Sequence, residues 1–422
     1  MQKFKKSNIS KMKCMKLRIF ISLISIFISS QSYSYEMGRQ AMKDINSPSL
    51  EIDKLVSFEW ERNHEKFTVL ALQCIADKNA GLTSLDVAPE YCEKRTINLD
   101  QMSLYNKSYN YPKELERYKS LVKHVRWSDD PTRQVYDTKK SSPKFAATMK
   151  KYCESIIENS EDGEINLAAN GLLCASHFGR FQYLHSMAIN DGIEAKVTFN
   201  KILSWSKFAY QFSLSEKDHN ENYCEYWENN KIYPNIVDSF QVESFRNRKD
   251  NFCERRKISK WNWITNPKLW GSNQEYYEAW TVKSFFSNEC TGKFGSGQCT
   301  VIEDKDEIMF SALGSILHLV QDSYSKSHVS RGGTPALSEI VCSPPENFHS
   351  YLNQDSDTHT KADKWPVFHS TCNLGSGGTL DPITAVAQII FLHAKGEKDV
   401  KKIEDIITKV YGGYDLNAKS KP

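Results

Sequence analysis

Histidines and carboxylates in this chain recur at spacings that suit metal coordination. In the stretch from Leu313 to His328, His318 and Asp322 are four residues apart, which sets them on one helical face a turn apart. A second histidine, His328, follows after the helix loosens at Ser323, Ser325 and Ser327. The same spacing returns at His359 and Asp363. Zinc accepts imidazole nitrogen and carboxylate oxygen at roughly 2.0–2.2 Å, and a carboxylate between two sites can bridge two ions. Upstream stand His64 at the head of an apolar stretch, Asp129 and Asp130 before Pro131, His177 before Phe178, and His185. Singly, each of these also reads as a helix-start histidine, a turn aspartate or a core histidine. The two four-spaced pairs taken with His328 point to metal.

The elements that must position these groups are helical. From Val197, the apolar residues Phe199, Ile202, Leu203, Trp205, Phe208, Ala209 and Phe212 recur at three- and four-residue steps. Asp306 to Ser323 repeats the pattern, with acidic residues at its start where the helix dipole favours them. Pro382–Ala394 and Val400–Val410 read as two closing helices. Strand signals are few, so the predicted fold class is all-α, a single multi-helix domain over residues 35–422 around a zinc cluster. Residues 214–304, rich in Asn, Lys and aromatic side chains and carrying four cysteines, read as a loop-rich, disulfide-pinned insertion.

Residues 1–34 read as a signal peptide: seven basic residues, the apolar run Leu17 to Ile28, then the small-residue site Ser32-Tyr33-Ser34. The run is too short to span a bilayer, which needs about twenty residues, and no later stretch qualifies as a transmembrane segment. Cleavage would leave 48 basic against 52 acidic residues, turning the net +3 of the whole chain into −4. Such a protein has no overall field to gather nucleic acid. Ten cysteines remain, an even number that in an exported chain argues for disulfides and a secreted or periplasmic location. Joining sequential neighbours would give five local staples, although sequence leaves the connectivity open. None of the ten forms a Cys-x-x-Cys pair, which argues against a thiolate zinc site.

In order, His64, an aspartate before proline, His177-Phe178, His318-x-x-x-Asp322 with His328 six residues on, and His359-x-x-x-Asp363 resemble the metal framework of the bacterial zinc-dependent phospholipases C and the fungal single-strand nucleases that share their fold. The resemblance runs from His64 to Asp363 and covers the framework rather than the whole chain. It implies one zinc held by Asp130 or Asp129, His177 or His185, His318 and Asp322. It implies a second held by His328, His359 and Asp363, and a third by His64 with a bridging Asp322. Asp130 is preferred because it directly precedes the proline, and His177 because His-Phe is the family's pattern. One departure bears on the count of ions. The family's mature chain begins with a tryptophan that completes the third site, whereas here about thirty residues separate the cleavage site from His64. Two or three zinc ions are therefore expected.

The resemblance implies a secreted phosphodiester hydrolase, foremost a phospholipase C acting on phospholipid headgroups with peripheral membrane contact. The alternative enzyme is a single-strand nuclease, and the rival outside catalysis is a zinc-stabilised surface protein. Zinc lowers the pKa of a bound water to about 7 and neutralises phosphoryl charge, and Asp130 would orient or deprotonate that water. The remaining histidines, His124, His219, His349, His369 and His393, and most of the tryptophans read as packing or surface residues.

Overall fold

The computed structural model describes residues 63–93, 111–133, 171–246, 280–291, 298–332, 339–351 and 379–422, together with positions 151–153, 155, 167, 253, 362, 367–368 and 372. Residues 1–34, His359 and Asp363 lie outside the described residues.

The described chain is mainly helical. The longer helices are α1 (Asn63–Lys78), α2 (Gly171–Phe178), α3 (Ala195–Leu214), α4 (Lys305–Asp322), α5 (Pro382–Ala394) and α6 (Val400–Tyr411). Three of them begin on an aspartate cap. The Asp304 carboxylate accepts from the Glu307 amide, Asp381 from the amides of Ile383 and Thr384, and Asp399 from that of Lys401. These bonds satisfy donors that a helix start leaves open. In α4 the cap is followed by Asp306 and Glu307 in the first turn, which complements the dipole.

Helix α4 lies at the centre, packed against α3, α1, α5, the short turn Leu121–His124 and the 3-10 turn Gln182–His185. Its residues from Phe310 to Asp322 are all buried, polar ones included. A helix buried all round needs neighbours on every face. Helix α6 is the contrasting case, burying only Ile403, Ile406, Ile407, Val410 and Tyr411 along one stripe.

Strands are few and short. Asn288–Thr291 pairs antiparallel with Gln298–Val301, placing Cys290 opposite Cys299. Val329–Arg331 pairs antiparallel with Pro345–Phe348, and Glu339–Ile340 lies parallel to Val367–Phe368.

Disulfides join Cys74 to Cys92, Cys153 to Cys174, Cys224 to Cys253 and Cys342 to Cys372, each a pair of sequential neighbours. Such bonds persist in oxidising surroundings. Among the described residues no helix is long and apolar enough to cross a membrane.

The stretch 214–304 departs from the loop-rich expectation where it is described. It forms the short helices Tyr223–Glu228, Pro234–Val237, Val242–Arg246 and Ser284–Ser287 besides the hairpin. Several of its described aromatic residues enter the core: Trp227 stacks on Phe240, and Phe285 and Phe286 pack against Trp127 and Trp205. Turns this short leave no helical period to read in the sequence.

Candidate metal centre

Asp322 is the hub. One of its oxygens, Oδ1, lies 3.3 Å from His64 Nε2. The other, Oδ2, lies 2.9 Å from His185 Nδ1, 3.0 Å from His318 Nε2 and 3.5 Å from His328 Nδ1. All five side chains are fully buried. Asp129 also reaches these rings, its Oδ1 3.5 Å from His318 Nε2, 3.6 Å from His185 Nδ1 and 3.9 Å from His177 Nε2. Two groups of three potential ligands result, His64 with His318 and Asp322, and Asp129 with His185 and His318; within each, the ligand atoms lie within 4.8 Å of one another.

Four remote pieces of chain supply these groups. Helix α4 carries His318 and Asp322 one turn apart. His64 is the second residue of α1, and its ring stacks on that of His318 with centroids 3.9 Å apart. His185 ends the turn Gln182–His185, where Ser186 takes a left-handed conformation with φ of 55° and its hydroxyl donates to the Leu319 carbonyl. Asp129 sits in the turn after Leu121–His124, where the amides of Asp129 and Asp130 both donate to the Arg126 carbonyl.

Four of the histidines turn Nδ1 to a carbonyl oxygen, whereas His185 turns its Nδ1 to Asp322 Oδ2 at 2.9 Å and to His318 Nε2 at 3.1 Å. Nδ1 of His318 faces the Val125 carbonyl at 2.9 Å, that of His177 the Leu173 carbonyl at 3.0 Å, and that of His328 the His185 carbonyl at 2.6 Å. Nδ1 of His64 faces Gln321 Oε1 at 2.7 Å, and the same amide donates from Nε2 to Thr68 Oγ1. A carbonyl oxygen only accepts, so Nδ1 carries the proton in each case and Nε2 holds the lone pair. Burial pushes the imidazole of His64 down to about 3, against the opposing hydrogen bond of Gln321. Burial, reinforced by the neighbouring imidazoles, holds His185 and His318 well below the ordinary histidine value. These rings are therefore neutral at pH 7.

The neutral Nε2 of His318 faces Asp322 Oδ2 at 3.0 Å, with His185 Nδ1 within 3.1 Å of both, and a cation among these atoms would satisfy all the lone pairs. This donor set fits a metal ion: neutral imidazoles, the tautomers of His64 and His318 fixed by the carbonyls of Gln321 and Val125, and a carboxylate placed between both groups.

Measured against the sequence expectations, the structure brings together His64, His177, His318, Asp322 and His328. Of the two neighbouring aspartates, Asp129 enters a ligand group among the described residues. Asp130 belongs to neither ligand group and lines a separate small cavity with Lys123, His124, Arg126 and Arg133. Both aspartates sit in one turn, their amides donating to the Arg126 carbonyl. Of the two upstream histidines, His185 enters a ligand group among the described residues, and His177 lies beside it, ring centroids 4.8 Å apart, with Nε2 3.9 Å from Asp129. Sequence reading passed over Gln321, whose one signal is its place beside Asp322. It also passed over Tyr351, whose ring lies about 6 Å from those of His177, His185 and His328.

Fold and site thus define a mainly helical, disulfide-bonded protein with a buried histidine–aspartate cluster able to hold a metal ion. No family model, curated protein or solved structure matches the chain.

Proposed function

We propose that the chain is a zinc-dependent phosphodiester hydrolase of the phospholipase C type, acting on phospholipid headgroups. The observation that carries the reading is the divided carboxylate of Asp322, with Oδ1 turned to His64 and Oδ2 to His185 and His318. A carboxylate divided in this way suits a bridge between two ions. The order of ligands along the chain adds support, since it resembles that of the zinc-dependent phospholipases C and single-strand nucleases. Zinc bound there would supply a water of pKa about 7 and compensate charge on the phosphoryl oxygens. The protein's own contribution is to hold the imidazoles neutral, fix their tautomers through backbone carbonyls and keep bulk water from the donors.

The depth of the cluster favours a second reading, a zinc ion that serves only as a structural staple, because structural sites are closed by protein ligands. Metal analysis of the purified protein, with hydrolysis assays on phosphatidylcholine and single-stranded DNA with and without chelator, separates the possibilities. Two or three zinc ions and chelator-sensitive release of the headgroup support the phospholipase. Turnover of DNA alone moves the assignment to a nuclease, bound zinc without turnover to the staple, and a metal-free protein overturns the zinc reading.

A further inference from the structure

Arg126 is buried, 3 % exposed, and belongs to neither group of ligands. Its guanidinium grips Glu65, with Nε 2.6 Å and Nη2 2.5 Å from Oε1. Glu65 is itself fully buried and is the residue after His64. The Arg126 main chain faces the other group: its carbonyl accepts the amides of Asp129 and Asp130 at 3.0 Å each, shaping the turn that presents the Asp129 carboxylate. The residue before it, Val125, supplies the carbonyl that fixes the tautomer of His318. One residue therefore touches, or lies next to a residue that touches, the settings of His64, Asp129 and His318. A buried ion pair is a poor investment in stability, since apolar residues of similar volume serve as well or better, so its place beside both groups calls for another account.

Building on the metal reading above, we infer that Arg126 is a positioning residue that couples the two ligand groups, its side chain setting His64 through Glu65 while its carbonyl sets Asp129. Removing the guanidinium frees the start of α1 to shift relative to the Asp129 turn. The gap between His64 and the other ligands then widens while the ligands themselves stay intact.

The test is titration of the metal-stripped full chain with Zn2+, and with Co2+ whose visible absorption reports coordination geometry, comparing wild type with the double variant Arg126→Met/Glu65→Leu. The double variant avoids leaving one buried charge alone. The expected result is a protein that unfolds near the wild-type temperature but binds the metal about 10- to 100-fold more weakly, the range for groups that orient ligands, with an altered Co2+ spectrum. Wild-type affinity and spectrum in a folded double variant would overturn the inference and leave the metal reading standing, whereas a wild type that binds no ion overturns both. Should the double variant fail to fold, Arg126→Lys decides. It keeps the charge but replaces the planar fork with a point contact, so weakened binding supports the coupling and unchanged binding refutes it.

Discussion

Gly314 lies directly beneath the backbone of His124: a Cβ at this position would stand 2.2 Å from the His124 carbonyl oxygen and 2.5 Å from its carbon. The position is one turn before His318 on α4, and the next carbonyl along, that of Val125, holds the His318 ring. An ordinary glycine-to-alanine change inside a helix gains about 1 kcal/mol. Here the obstacle is backbone, so Gly314→Ala is expected to cost on the order of 1–3 kcal/mol and to weaken metal binding. Denaturant unfolding with metal analysis checks both. A stabilised variant would show that the helix can draw away from the turn.

The two neighbouring aspartates should separate by metal content. Asp129→Asn, which removes charge facing His177, His185 and His318, is expected to lower the number of ions bound. Asp130→Asn is expected to leave that number unchanged. Mass spectrometry of the intact, purified variants reads the difference, and the reverse pattern would return the ligand role to Asp130.

Stripping the metal should lower the unfolding temperature, because an ion bound only by the native state adds about 4 kcal/mol at a thousandfold excess over its dissociation constant. Asp322→Asn, which alters both sides of the hub, should unfold at the same temperature with and without chelator. Persistence of a chelator effect in that variant would place the ion elsewhere.

Away from the cluster, His393 is buried between a hydrogen bond with the Tyr118 hydroxyl at 2.7 Å and one from Nε2 to the Ser213 carbonyl at 3.1 Å. Burial pushes its pKa down from 6.5 to about 4. Between these values the unfolded chain binds the extra proton, so stability is full above about pH 6.5, falls as pH drops towards 4, and is flat below. The loss is about 3 kcal/mol at most. Unfolding free energies from pH 4 to 7 should decline more steeply in wild type than in His393→Gln; parallel curves would acquit this histidine.

The helices were legible because their apolar period survives in sequence. Pro382–Ala394 is found as read, and Asp306 to Ser323 is displaced by one residue to Lys305–Asp322. The pairing of His318 with Asp322 was legible for the same reason, a spacing that one helix converts directly into proximity. The place of Asp129 beside His185 and His318 was not, since it depends on how a turn curls around one carbonyl. Arg126 with Glu65, and Gln321 with His64, meet across 61 and 257 residues and leave no periodic trace. The expected pair His359 and Asp363 lies outside the described residues.

The four described disulfides close loops of 18 to 30 residues and nothing longer. Each restricts the unfolded chain by about 3 kcal/mol in the loop-entropy account, yet none connects one half of the polypeptide to the other. The distant encounter of α1 with α4 rests on packing and on the polar centre between them. Reduction would relax neighbourhoods along the chain, whereas a cation held at the cluster would tie together segments that no described disulfide joins.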